Sequence, residues 1–353
     1  MATDPKPRHG NSYDCLALFS GGLDSILACK LLQQQGARVL GLHFCSPFFG
    51  DEAQIPHWES IHGLDLLPID ISREFVNLLT QGPAWGFGRY LNPCIDCKIL
   101  MLKTAAAMLP HFQAQCLISG EVLGQRPMSQ RRYALHIIQR EAGVRECLLR
   151  PLSCGKLPVP AALQDSDLID CKQLPSISGR GRKEQLRLAR SFQIKEIPTP
   201  AGGCLLADPE SARRFSPLFE HLHPPQVRDF ELAKVGRQFW SGGKWLVIGR
   251  NQADNGRLLE LLQEDDLLFK LADHPGPLAL GRQSAEQWSQ EPIREAAAFM
   301  SSFSGKVPRS GEPVAVKVGC QEQVTGLEVV PEHSPNTRWQ EPQFKKPEGS
   351  YET

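Results

Sequence analysis

Short, almost wholly apolar runs recur through the first two-thirds of the chain, most of them followed by apolar positions at helical spacing. Residues 16–19 form the first run and 26–35 the helix behind it, closed by Gly36. Residues 39–44, 66–71, 116–120 and 147–152 are the later runs. A strand with one wet face alternates apolar and polar residues. Runs without alternation are buried on both faces, which calls for helices above and below a parallel sheet. The pattern therefore predicts an α/β fold with a doubly wound parallel sheet, whose ligands lie beyond the carboxyl ends of the strands.

Past Asp208 the pattern changes. Residues 218–227, with His221, His223 and Pro224-Pro225, read as a linker after a first domain spanning 14–217. Strand signals around 234–237, 245–251, 265–272 and 278–280 then predict a smaller α+β domain over 228–325. Residues 1–13 read as a tail, and the polar, proline-containing stretch 331–353 is expected to be disordered.

The first strand runs into Ser20-Gly21-Gly22-Leu23-Asp24-Ser25 and then directly into a helix. Two glycines let the backbone turn sharply and approach a ligand closely. Amides of the turn and of the helix start then point at an anion, helped by the helix dipole. No GK[ST] follows, so this is not a Walker A loop. The residues match the PP-loop of the ATP pyrophosphatase superfamily, also described as adenine nucleotide alpha hydrolase-like. Members cleave ATP between its α- and β-phosphates and adenylate a carbonyl or carboxylate. The resemblance implies that Ser20, Gly21, Gly22, Asp24 and Ser25 bind ATP, with Mg²⁺ bridging the phosphates and Asp24 as a charge partner.

A second constellation is Asn92-Pro93-Cys94-Ile95-Asp96-Cys97-Lys98, at the start of a helical stretch. CxxC at a helix start brings two thiols within reach of one metal, and the dipole is expected to lower their pKa. Closed zinc sites take four ligands, and one CxxC supplies two. Cys204, behind Thr199-Pro200-Ala201-Gly202-Gly203, is the third sulfur candidate. Cys94, Cys97 and Cys204 as three thiolates with one open position would suit a [4Fe–4S] cluster binding exogenous sulfur. A persulfide on Cys204 resolved by Cys94 or Cys97 is the alternative, as is a structural zinc or silent pair.

The third stretch, Ser119-Gly120-Glu121-Val122-Leu123-Gly124-Gln125-Arg126-Pro127-Met128-Ser129-Gln130, ends the fourth strand. Together with Leu149-Arg150-Pro151-Leu152 it resembles the catalytic domain of the tRNA 4-thiouridine sulfurtransferase family, over about residues 14–207. The resemblance implies that Gly120 and Gln125 contact ATP and that Cys204 is the catalytic cysteine. The CxxC resembles related sulfurtransferases with a cluster on three cysteines. The implied activity is ATP-dependent replacement of a nucleobase oxygen by sulfur in tRNA or another RNA. The sulfur would come from a cysteine desulfurase or hydrosulfide.

Members of that family usually carry a THUMP region before the loop, whereas about 14 residues precede it here. RNA contact is therefore expected elsewhere. One candidate is residues 179–190, where Arg180, Arg182, Lys183 and Arg187 belong to a set of five basic residues facing one acidic residue. Leu186, Ala189 and Phe192 would face the core. The other is the second domain, whose strands, Gly249-Arg250-Asn251 turn and His274-Pro275-Gly276 turn resemble the RNA-binding domain of the NFACT family.

Composition narrows the classes further. Lys+Arg and Asp+Glu both number 39, so a polyanion would need a local patch and not a global field. Eleven cysteines in a chain without a secretory start point to metal or sulfur chemistry and not to a disulfide framework. No apolar run approaches membrane-spanning length, so a cytoplasmic enzyme with no membrane partner is expected. Two alternatives stay open: a PP-loop enzyme acting on a small molecule, and a translation-associated RNA-binding factor that senses nucleotide.

Overall fold

A computed structural model of the chain describes residues 12–164, 168–199, 203–282, 288–307, 311–320, 323–332 and 338–345. It divides by internal contact into two compact units, meeting in sequence between Leu205 and Leu206. The expected tail 1–13 lies almost wholly outside the described residues, as do 200–202 of the glycine turn before Cys204.

The first unit holds five strands: β1 (Cys15–Leu18), β2 (Val39–Cys45), β3 (Asp65–Asp70), β4 (Cys116–Ser119) and β5 (Leu148–Leu149). Its helices are α1 (Leu23–Gln34), α2 (Ile55–His62), α3 (Ser72–Gln81), α4 (Cys94–Met108), α5 (Arg132–Glu141), α6 (Ala161–Gln164) and α7 (Lys183–Ser191). The sheet is parallel throughout, in the order β3-β2-β1-β4-β5. The chain moves outward from β1 in one direction, then returns to place β4 on its other side. This is the doubly wound arrangement that the apolar runs predicted.

The reversal of direction leaves a crevice between the carboxyl ends of β1 and β4. Both glycine-bearing segments, 20–25 and 119–125, emerge there. Leu16, Leu117 and Ile118 are fully buried, as are Ile26, Leu27 and Leu32 of α1. Each such side chain contributes about 1.5–3 kcal/mol through removal from water. Cys15, Cys29 and Cys116 are buried with them, as small apolar fillers.

β5 is shorter than the run 147–152 suggested. Arg150 turns into the interior to meet a carboxylate, and Pro151 has no amide to donate to a ladder.

The second unit contains α8 (Pro209–His221), α9 (Val227–Ala233), β6 (Arg237–Ser241), β7 (Lys244–Ile248), α10 (Gln252–Leu261) and β8 (Leu267–Leu271). β9 (Leu278–Arg282), α11 (Gln290–Ser301), β10 (Val314–Cys320) and β11 (Gln323–Val329) complete it. Its antiparallel sheet runs β11-β10-β8-β9-β7-β6. Residues 218–221, expected in a linker, are the last turn of α8, whose Phe215 packs on Phe230 of α9 at 5.8 Å.

The stretch expected to be disordered is in part built into this unit. Trp339 is 3% exposed, and Gln340 exchanges two backbone hydrogen bonds with Trp240. One large apolar side chain in a polar segment is diluted in any compositional average, yet it suffices to anchor that segment. The remainder of 331–353, namely 333–337 and 346–353, lies outside the described residues. Among the described residues no helix is long and apolar enough to cross a membrane.

Candidate active site

The turn after β1 is shaped by contacts within itself. Ser25 Oγ donates to the Gly22 carbonyl at 2.7 Å and accepts from the Ser20 amide at 3.3 Å. Gly21 lies at φ +71°, the left-handed region, and a Cβ there would come within 2.4 Å of the Trp58 ring. Trp58 is in turn held edge-on by Phe19 and His43 at 5.5 and 5.0 Å. Gly22 is less constrained: it has an ordinary extended backbone, and a Cβ would meet only Ser20 Oγ at 3.4 Å. Gly22 is also the N-cap of α1, where no side chain caps the helix. The Ser25 and Ile26 amides donate to the Gly22 carbonyl at 3.0 and 3.2 Å, which leaves the Leu23 and Asp24 amides for an external acceptor, as an anion site requires.

β4 delivers the opposing wall. A Cβ on Gly120 would lie 2.6 Å from the Asp24 backbone carbon and oxygen and 2.7 Å from the Ser25 amide nitrogen. Only glycine allows the two loops this close. One residue turn further on, Gln125 Nε2 donates to Asp24 Oδ2 at 2.7 Å, and Gln185 Nε2 of α7 donates to Gln125 Oε1 at 3.2 Å. The other Asp24 oxygen, Oδ1, is buried without a protein partner. Burial pushes the Asp24 carboxyl above the usual aspartate range, opposed by the Gln125 hydrogen bond and by the nearby charges of Arg182 and Arg126. The site thus contains an uncapped helix start, a half-satisfied carboxylate and two arginines.

The residues between these walls serve the frame. Arg150 Nε donates to Glu121 Oε2 at 3.1 Å, with both side chains under 5% exposed, and its Nη1 donates to Gln139 at 3.1 Å. Gln130 Oε1 accepts the Arg126 amide at 3.2 Å while its carbonyl accepts the Gly124 amide at 2.7 Å, closing the loop. The two sequence segments 119–130 and 149–152 are therefore bound to each other.

Cys94 and Cys97 occupy the first turn of α4, and no disulfide joins them. Asp96 between them accepts the Ala84 and Trp85 amides at 2.9 and 3.1 Å, which anchors the preceding loop. Asn92 donates to Cys94 Sγ at 3.2 Å. The Leu205 amide donates to the Phe48 carbonyl at 2.8 Å and fixes the chain just after Cys204. Burial pushes the Cys97 thiol far above the ordinary cysteine range, with the Cys204 and Cys94 sulfurs acting in the same direction. Desolvation here overrides the lowering expected from the helix dipole. Among the described residues, no group of three His, Cys, Asp or Glu side chains could hold a metal ion. Cys204 and Cys94 both act electrostatically on Cys97, so the three sulfurs influence one another.

The basic segment divides. Ala189 is buried and Leu186 and Phe192 pack against the core as expected, while Arg180, Lys183 and Arg187 are exposed. Arg187 is paired with Glu184 at 3.0 Å. Arg182, expected at an RNA surface, is half-buried, and its charge acts on Asp24. Arg182 is the N-cap of α7 and so stands at the end of the helix, not on the face that carries Lys183 and Arg187. Gln185, Arg126 and Trp58 were not anticipated. A lone glutamine inside a basic helix gives no signal, and the partners of Trp58 are distant in sequence.

The first unit is thus a doubly wound α/β unit with a glycine-lined crevice at the carboxyl ends of its strands, followed in the same chain by an antiparallel sheet unit. The comparisons with known proteins agree with that division. Residues 236–339 match the family model of the NFACT protein RNA-binding domain. The chain is 29% identical over 154 residues to the tRNA sulfurtransferase of Serratia proteamaculans, covering 40% of this chain and 30% of that protein. The tRNA sulfurtransferase of Yersinia pestis matches at the same 29% identity. The chain thus spans about 30% of the length of these curated relatives. Among solved structures, a U34-tRNA thiolase from Methanococcus maripaludis with its [4Fe-4S] cluster aligns at 14% identity and a TM-score of 0.32, covering 64% of this chain and 74% of that one. The C-terminal part of a fibronectin/fibrinogen-binding protein from Streptococcus suis aligns at 16% identity and a TM-score of 0.23, covering 42% and 69%.

Proposed function

We propose that the protein is an ATP-dependent RNA sulfurtransferase acting on tRNA, forming AMP and pyrophosphate and leaving a thiolated nucleoside. The observation that carries the reading is the crevice: Gly120 in backbone contact with the start of an uncapped helix, beside Asp24 with one oxygen lacking a partner. The residues fit a magnesium–nucleotide complex. The α1 amides, with Ser20, Gly21, Gly22 and Ser25, would receive the pyrophosphate. Asp24 Oδ1 would face the Mg²⁺, which when bound neutralises charge on the departing phosphates. Arg126 and Arg182, whose charges act on Asp24, would stabilise the charge that develops on the leaving group.

The base oxygen attacks the α-phosphorus, and the bond to the bridging oxygen breaks with release of pyrophosphate. The activated oxygen then leaves as AMP when sulfur attacks the same carbon. We assign the sulfur to a persulfide on Cys204, loaded by a donor such as a cysteine desulfurase. The outer sulfur of the persulfide bonds to the base carbon. The Cys94 or Cys97 thiol then attacks the Cys204 sulfur and breaks the S–S bond to free the thiolated base. An external dithiol reductant reopens the Cys204 disulfide that results. The alternative source is hydrosulfide on a [4Fe–4S] cluster that Cys94, Cys97 and Cys204 would hold. The relatives' activity and the RNA-binding match at 236–339 support RNA as substrate.

Mass spectrometry of tRNA nucleosides from a deletion strain tests the reading. Loss of one thiolated nucleoside, restored by the intact gene and not by a Cys204→Ser copy, is the expected result. An unchanged nucleoside profile would overturn it.

A further inference from the structure

Helix α5 carries an exposed stripe that the crevice does not use. Arg132, Tyr133, His136 and Arg140 recur at i, i+1, i+4 and i+8 on one face, and all four are exposed. Tyr133 is 56% exposed, an unusual position for a large aromatic ring. From 122 to 140 there are four arginines and one histidine, with no Asp or Glu. The described acidic partner on the stripe is Glu141, at its far end, paired with Arg140 at 2.6 Å. Arg145 comes to 3.4 Å from His136 Nε2 and adds a further cation.

The stripe borders an open groove of about 760 Å³ whose walls include Tyr133, Leu135, Ile137, Leu157 and Pro158, with Arg132 and His136 at hand. Arg132 is fixed by two hydrogen bonds to the Lys156 carbonyl at 3.2 Å, so one wall is stiffly held. Arg150, the residue following β5, also lines the groove, which places it on the carboxyl-end side of the sheet.

A cationic rail beside an exposed ring and an apolar trough suits one chemistry. Phosphates follow the cations, and bases, having an apolar face whatever their sequence, stack on the ring. An acidic peptide would use the arginines but leave ring and trough without a partner.

We propose that the α5 groove is a binding surface for a single-stranded segment of RNA, with Tyr133 stacking on a base, Arg132 and His136 facing the backbone, and Arg131, exposed at the N-cap of α5, adding its charge beside them. The inference rests on the reading of the chain as an enzyme of RNA, and it places the RNA contact of the first unit on α5 and not on residues 180–190.

The test uses the full chain, with a tRNA transcript and a short single-stranded oligouridine as probes. Tyr133→Ala is expected to weaken oligouridine binding by about fivefold to a hundredfold, whereas Tyr133→Phe, which keeps the ring, binds as wild type. Arg131→Ala is expected to lower the slope of log K against log salt by about 0.7. Melting temperature and ATP binding without RNA should stay at wild-type values in all three. Wild-type affinity and slope in Tyr133→Ala and Arg131→Ala, in a protein that does bind both probes, would overturn the groove and leave the RNA reading standing. A wild-type chain that binds neither probe would overturn both.

Discussion

Replacing Gly120 by alanine separates the crevice from every other feature of the fold. The added methyl would lie 2.6 Å from backbone atoms of Asp24 and 2.7 Å from the Ser25 amide, and none of those atoms is the end of a flexible side chain. Relief requires moving the end of β4 away from the first turn of α1, by about an ångström. Overpacking of this kind costs about 1–3 kcal/mol. In a unit of this size that corresponds to a fall in melting temperature of roughly 2–12 °C. The shift widens the crevice where the phosphates enter, so pyrophosphate release should fall by at least about tenfold, the equivalent of 1.4 kcal/mol. Gly22→Ala provides the contrast, since its methyl meets only Ser20 Oγ at 3.4 Å and its backbone angles suit any residue. It should melt like wild type and lose ATP turnover alone, because its methyl would crowd the bound phosphates. Differential scanning calorimetry paired with a pyrophosphate-release assay reads both effects. Wild-type melting and turnover in Gly120→Ala would refute the close approach of the two loops.

Further outcomes follow from the same geometry. Gln125→Leu removes the donor to Asp24 Oδ2 and should cut pyrophosphate release by about tenfold to a hundredfold, as loss of a hydrogen bond to a charged group implies. Asp24 already titrates above the usual range, so activity that needs it ionised is lost as pH falls through its pKa; Gln125→Leu should move that acid limb to higher pH in a pH–rate profile. Arg150→Met strands Glu121 in the interior and should cost about 3–5 kcal/mol by urea unfolding, with partial recovery in the double variant carrying Glu121→Leu. His43 accepts the Asp51 amide at Nε2 and faces the Phe19 carbonyl with Nδ1, and burial holds its pKa below the ordinary 6.5. The unfolded chain takes up that proton first, so this part of stability is complete above about pH 6.5 and is lost as pH falls; melting curves of His43→Gln below that pH should show a shallower decline than wild type. Cys204→Ser should abolish thiolation while leaving pyrophosphate release intact, measured on the same RNA.

The doubly wound sheet was legible because strands buried on both faces leave an unbroken apolar run, and β1 to β4 each begin and end within a residue or two of theirs. β5 was overextended for a reason no periodicity reveals: Arg150 leaves the ladder to satisfy Glu121, a partner 29 positions away. The crevice was pointed to by Asp24 and Gln125 in separate segments, and the structure joins them across 101 residues. The action of Arg182 on Asp24 was not legible, because a helix wheel says nothing about its own ends. Trp339 was hidden by the polarity of its neighbours, although a single buried indole outweighs them energetically.

Charge balance at Asp24 links the nucleotide to its cation. Burial alone favours the protonated carboxyl, and Gln125, Arg182 and Arg126 oppose it only in part. Triphosphate entering beside α1 adds several negative charges, each of which raises the carboxyl further. Bound without a cation, the nucleotide would therefore protonate Asp24 and lose its partner there. A divalent ion held by Asp24 would oppose these effects, because it would attract both anions and supply the partner that Oδ1 lacks. Arg182 and Arg126 act on Asp24 through charge but donate no hydrogen bond to that buried oxygen. On the proposed reading the crevice would take ATP and Mg²⁺ together, and Asp24→Asn, which removes the charge while keeping the shape, should weaken binding of the magnesium complex far more than binding of free ATP.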